Sequence, residues 1–140
     1  MTTVSMKTDL NVPADQVWEI VGRFNALPDW HPAVEKSELE DGGKLRRLSL
    51  VGGGSIVERL EQLDEEEQLY RYSIIESPLP VANYSATLRV KPSKDGKGCS
   101  VEWSSDFNPA GASLEEATKA IQGVYQAGLD NLSKLFDVGR

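Results

Sequence analysis

Residues 113–136 read SLEEATKAIQGVYQAGLDNLSKLF, and this stretch decides the fold. Leu114, Ala117, Thr118, Ile121, Val124, Tyr125, Gly128, Leu129, Leu132, Leu135 and Phe136 recur at helical spacing and form one broad apolar face. Ser113 and Glu116 make an S-x-x-E capping box, so the start of the helix is signalled as well as its body. Nearly everything between this helix and a shorter, earlier one alternates as strands do. A long helix laid across a curved antiparallel sheet leaves a hollow between them, and the function is expected to lie there.

Working outward, residues 2–10 alternate, with Val4, Met6 and Leu10 on one side and Ser5, Lys7 and Asp9 on the other, as a half-buried strand does. Pro13 and Asp15 then open a helix whose Val17, Ile20, Val21 and Phe24 fall at i, i+3, i+4 and i+7, about three turns. Pro28 and Pro32 break it. Strands are expected over residues 34–40, 44–51, 55–63, 68–76, 84–91 and 99–107, separated by short turns such as Asp41-Gly42-Gly43 and Asp95-Gly96. The acidic turn Asp64-Glu65-Glu66-Glu67 reads as a solvated connection. Short connections imply antiparallel neighbours. The order of elements makes residues 1–140 a single α+β domain, with helices between the first two strands and a long C-terminal helix on a concave sheet.

Bulk composition narrows the function. A net charge of −7 argues against a general nucleic-acid binder, which needs a basic face to displace counterions. No apolar run approaches the roughly 20 residues that span a bilayer. Residues 1–7 lack the basic lead and apolar stretch of a secretory signal, so a cytoplasmic location is expected. Cys99 is the sole cysteine and His31 the sole histidine, which leaves a structural zinc site without its usual ligands. Neither a metal nor a cofactor is expected. Cys99 reads as a small packed hydrophobe within a strand.

Trp18, Phe24, Trp30-His31-Pro32, Glu58-Arg59-Leu60, Leu63-Asp64, Tyr72, Pro80, Asn83-Tyr84 and Trp103, taken in order, resemble the bacterial polyketide cyclase/dehydrase and lipid-transport family. That family is part of the superfamily of the major birch-pollen allergen and the START lipid-transfer domains. The resemblance implies the helix-grip fold, a seven-stranded sheet wrapped around a long helix and an apolar cavity. Glu58-Arg59-Leu60, Leu63-Asp64 and Asn83-Tyr84 are also similar to the pattern of the plant abscisic-acid receptors. That likeness implies a gate loop over residues 51–55, containing Gly52, Gly53 and Gly54, and a latch loop over residues 79–82, containing Leu79, Pro80 and Val81. It also implies that Glu58 and Tyr84 line the cavity. The gate here is a bare glycine run, the latch lacks a His-Arg pair, and the receptors' cavity lysine falls near Glu35, one step from Lys36. Recognition of that hormone is not expected.

Glu58 shares a strand face with Ile56 and Leu60. If that face is concave, Glu58 points into the cavity, where burial would raise its pKa and suit it to bind a ligand hydroxyl or to act as general acid or base. Alternatively it pairs with Arg46 or Arg59 for structural reasons. Tyr72, Tyr84 and Tyr125 each carry an apolar ring and one polar handle, fitted either to a ligand pocket or to a packed core. Trp103 and Phe107 share a strand face and serve as walls, with Ile121 from the helix. Trp30-His31-Pro32 reads as a structural turn. Gly52-Gly53-Gly54 lacks the helix and Lys-Ser/Thr of a phosphate loop and reads as a mobile hairpin at the pocket mouth.

The expected function is binding, as carrier or sensor, of a hydrophobic or amphipathic small molecule such as a lipid, isoprenoid or polyketide. Glu58, Tyr72, Tyr84, Trp103, Phe107, Ile121 and Tyr125 are the expected contacts. The alternative is a polyketide cyclase, aromatase or dehydratase using Glu58 and tyrosine hydroxyls for acid–base chemistry. A third reading, a ligand-gated partner-binding module, rests on the receptor likeness alone. No nucleic-acid partner and no integral membrane segment are expected, and homodimerisation is left open.

Overall fold

A computed structural model describes residues 1–136. The strands β1 (Thr2–Leu10), β2 (Val34–Glu40), β3 (Leu45–Leu50), β4 (Ser55–Asp64), β5 (Leu69–Glu76), β6 (Val81–Pro92) and β7 (Cys99–Pro109) form one seven-stranded antiparallel sheet, ordered β1-β7-β6-β5-β4-β3-β2. Helices α1 (Ala14–Val21) and α2 (Leu27–Trp30) lie between β1 and β2, and α3 (Leu114–Phe136) follows β7. This is the helix-grip arrangement expected from the sequence.

Alternation sets the inner face. In β6, Tyr84, Ala86, Leu88 and Val90 are buried, and in β7 so are Cys99, Val101, Trp103, Ser105 and Phe107. Register shifts in β2–β3, β4–β5 and β6–β7 mark bulges that bend these strands and help curve the sheet. The Ser113 hydroxyl accepts the Glu116 main-chain N–H at 3.1 Å and caps α3. Helix α3 packs across β1 and β7 and touches α2, burying Ala117, Ile121, Tyr125, Gly128, Leu129 and Leu132.

The structure corrects several expectations. Leu114 and Leu135 are exposed, because they lie in the first and last turns of α3, outside the span packed on the sheet. Helix α1 is shorter than three turns: Gly22 ends it, and Phe24 joins the core from a separate 3₁₀ turn, Phe24–Ala26. The acidic β4–β5 turn is not wholly solvated, since Glu65 Oε2 accepts the indole N–H of Trp18 at 2.9 Å and ties the turn to α1.

At Gly128 the long helix packs tightly against the α2–β2 segment and β7. A Cβ there would stand 2.7 Å from His31 Cδ2 and 3.0 Å from both Trp30 Cζ3 and Trp103 Cζ3. The absence of a side chain lets these three rings pack directly beneath α3, which fixes the floor of the space beside them.

Candidate functional site

Between the concave face of the sheet and α3 lies a cavity of about 180 Å³. Leu48, Leu50, Ile56 and Ile74 line it from the sheet, Leu27, Ala33 and Val34 from the α2–β2 segment, and Ile121 and Val124 from α3. Glu58, His31, Tyr72, Tyr84 and Trp103 supply its polar atoms. Val51 and Leu79, from the β3–β4 and β5–β6 loops, complete its lining.

Glu58 faces inward from β4 and is buried. It sits on the cavity wall with Ile56, and it pairs with Arg46. Arg46 and Glu58 are direct cross-strand partners in β3 and β4, so their side chains share the inner face. Arg46 Nε donates to Glu58 Oε1 at 2.8 Å, with the second guanidinium nitrogen 2.7 Å from the same oxygen. Its remaining nitrogen donates to the Phe24 main-chain oxygen and reaches the Tyr70 hydroxyl at 3.5 Å. The guanidinium also lies over the Phe24 ring, 4.1 Å from its centroid. Arg59, the other expected partner, is exposed on the opposite face.

Burial raises the Glu58 carboxyl above the ordinary carboxylate range, and the Arg46 guanidinium opposes that rise. Arg46 has no accessible neutral form and is fully buried, so its charge requires an ionised partner. Only Oε1 of Glu58 is engaged by Arg46. Oε2 remains the strongest acceptor available to a guest.

Beside this pair runs a chain of hydroxyls. The Trp103 indole N–H donates to the Tyr72 hydroxyl at 3.0 Å, Tyr72 bonds Tyr84 at 3.1 Å, and Tyr84 bonds Tyr125. Burial raises the pKa of all three phenols, so they are neutral hydroxyls near pH 7. Of the expected contacts, Glu58, Tyr72, Tyr84, Trp103 and Ile121 line the cavity. Tyr125 and Phe107 do not: Tyr125 stacks on the far side of Trp103 at 4.4 Å, and Phe107 stacks behind Tyr84 at 6.3 Å. Both lie behind wall residues because a ring already occupies the space in front of each. Gly52, Gly53, Gly54, Pro80 and Val81 also stand off the wall, leaving Val51 and Leu79 as the loops' contributions.

His31 is the residue that sequence reasoning placed in a structural turn and the structure places on the wall as well. The Ala33 N–H donates to its Nδ1 at 3.1 Å, which puts the ring proton on Nε2, and Nε2 donates to the Val124 oxygen at 2.7 Å. Burial lowers its pKa, so the ring is neutral at pH 7. No local sequence signal links positions 31 and 124. By contrast, period-2 alternation from Arg46 to Leu48 and Leu50 could have revealed the β3 wall.

A sequence model of the family described as polyketide cyclase / dehydrase and lipid transport matches residues 1–137. The chain belongs to that family. Among its relatives, abscisic acid receptor PYL7 of Arabidopsis thaliana is 26% identical over 133 residues, covering 89% of this chain and 63% of the receptor. The chain thus spans less than two thirds of that receptor's length. Among solved structures, the protein XoxI from Bacillus cereus superposes with a TM-score of 0.96 at 38% identity, over 99% of this chain and 97% of XoxI. The Zhui aromatase/cyclase from Streptomyces sp. R1128 superposes with a TM-score of 0.76 at 22% identity, over 97% of this chain and 93% of its own, and shares the fold. Among the described residues no helix is long and apolar enough to cross a membrane, and no cluster of three or more His, Cys, Asp or Glu side chains is placed to hold a metal ion.

Proposed function

We propose that the protein binds a small, mainly apolar molecule in its internal cavity, as a carrier or sensor. The observation that carries this reading is the cavity itself, an apolar space of about 180 Å³ with one free carboxylate oxygen and tyrosine hydroxyls on its wall. Apolar cavities of about 150 Å³ accept a benzene-sized guest, so the space fits one ring or a short branched chain. A ligand burying about 200 Å² of apolar surface there would gain about 5 kcal/mol, a submillimolar affinity before ordering costs. Tighter binding requires a polar contact or a longer body. Glu58 Oε2 and the Tyr72–Tyr84 pair supply the first, and displacement of the Val51 and Leu79 loops would admit the second.

The family description and the relative named as a receptor for abscisic acid support a small-molecule role. The carboxylate of Glu58 on the wall, with the Arg46 charge buried behind it, favours a guest that donates a hydrogen bond over one that is anionic. Titration of the protein with 4-methylphenol, followed by heteronuclear NMR, tests the reading. Shifts confined to residues around the cavity, abolished by Ile121→Trp, are expected. Binding at the surface, or none at all, would overturn it.

The same Glu58 and hydroxyl chain support the second reading, an acid–base enzyme of the cyclase or dehydratase type. The paired change Arg46→Met with Glu58→Gln, which leaves no buried charge stranded, separates the two, because it abolishes turnover in an enzyme while leaving a carrier's binding measurable.

A further inference from the structure

The ladder between β5 and β6 stops early. Its last pair is Ser73 with Ser85, yet β5 runs on to Glu76 paired with β4, and β6 begins at Val81 paired with β7. The two strands therefore part before they reach their connecting loop. The irregularity between Ala82 and Ser85, where Asn83 takes φ 54°, helps turn β6 away. On the outer face this seam opens into a cleft of about 580 Å³ lined by Glu61, Gln62, Arg71, Ser73, Asn83 and Ser85. Ile74 and Tyr84 form part of the wall of that cleft and part of the wall of the internal cavity.

We propose that the β5–β6 seam is a second opening of the cavity, through which the polar end of an amphipathic ligand passes into the outer cleft while its apolar end fills the chamber. This rests on the ligand-binding reading above and names the ligand class. The chamber alone is too small for more than a ring, and its wall is mostly apolar, so a longer ligand must place its polar part elsewhere. The outer cleft supplies amide, hydroxyl and guanidinium groups. It carries both signs of charge, on Glu61 and Arg71, which suits an uncharged hydroxylated or ether-linked tail better than a charged one.

Opening the seam is a local event. No β5–β6 ladder bonds lie beyond Ser73 and Ser85, so none has to break. Tyr84 is held by its hydroxyl bonds to Tyr72 and Tyr125. Ile74, half-buried and without polar anchorage, is the side chain whose rotation would widen the gap.

The test uses two ligands of the same ring. One is 4-methylphenol, and the other is a 4-alkoxyphenol carrying a triethylene glycol chain. Their affinities are measured by calorimetry for the unaltered protein and for two plugged variants, Gln62→Trp and Ser85→Trp. The plugs are expected to weaken the tailed phenol by about tenfold or more and to keep 4-methylphenol within about twofold, which also reports that each variant is folded. If 4-methylphenol does not bind the unaltered protein, the ligand-binding reading fails and takes this proposal with it. If 4-methylphenol binds but the tailed phenol does not, or binds regardless of the plugs, the seam proposal alone is overturned.

Discussion

His31 donates its Nε2–H to the main-chain oxygen of Val124, 2.7 Å away in the middle of α3. The opposite ring nitrogen accepts the Ala33 N–H, and the Ala33 oxygen accepts the Val51 N–H at 3.0 Å. A continuous chain of hydrogen bonds thus joins the β3–β4 loop to the long helix. It depends on a neutral imidazole, because a proton on Nδ1 would face the Ala33 N–H.

That dependence has a pH signature. Burial holds the folded pKa of His31 below the ordinary 6.5, so between the two values the unfolded chain binds the extra proton. Stability therefore rises with pH across this window. On acidification it begins to fall near pH 6.5 and stops falling once the lower, folded value has been passed. His31→Gln keeps a donor toward Val124 but cannot titrate. Urea unfolding at intervals between pH 7.5 and 5 should show a steeper loss for the natural protein than for this variant. Parallel curves would remove His31 as the cause.

Two glycines of α3 should respond to alanine with opposite signs. At Gly123 an added Cβ meets nothing within 4 Å, and the exposed helix should gain up to about 1 kcal/mol from the better helix former. At Gly128 the same methyl collides with the rings of His31, Trp30 and Trp103, none of which is a flexible chain end. Overpacking there should outweigh the propensity gain and leave a net loss of about 1–3 kcal/mol. Denaturant midpoints of the two variants decide the matter, and a stabilised Gly128→Ala would refute the close approach described here.

The buried pair behind the cavity wall should behave as a unit. Arg46→Met strands the Glu58 carboxylate and should cost about 3–5 kcal/mol. Adding Glu58→Leu removes the stranded charge and should restore most of that loss, because desolvation of two ions offsets much of their attraction. A double variant no more stable than Arg46→Met would show that the pair does not act as a unit.

These relationships differ in how far the sequence reveals them. Alternation fixes which residues share a strand face, so Ile56 with Glu58 and Trp103 with Phe107 were legible, as were the succession of elements along the chain and β2 to the residue. A cavity is the space that side chains leave unfilled, and its outline depends on where α3 settles on the sheet. That placement is set by Gly128 against His31, Trp30 and Trp103, contacts far apart in sequence with no periodic signature. For the same reason Tyr125, on the same helical stripe as Ile121, looked like a wall residue and instead reaches past the cavity to stack on Trp103. The seam between β5 and β6 was equally hidden, since it arises from a ladder that stops short within two well-patterned strands.

The tyrosine chain provides the last prediction, an order of costs. The Trp103 indole can only donate, and its one acceptor is the Tyr72 hydroxyl. Tyr72→Phe leaves that buried N–H without a partner, and the indole cannot rotate it elsewhere, which should cost about 1–3 kcal/mol. Tyr84→Phe breaks two hydroxyl–hydroxyl bonds, yet leaves Tyr72 able to keep accepting from Trp103 and to turn its own proton toward the cavity, where Glu58 also lines the wall. The expected ranking is therefore a larger loss for Tyr72→Phe than for Tyr84→Phe, although each removes two hydrogen bonds. Urea denaturation of both variants, with tryptophan fluorescence as the probe, measures the ranking. The reverse order would mean that the central place of Tyr84 in a cooperative chain of hydroxyls, and not the orphaned donor, sets the cost.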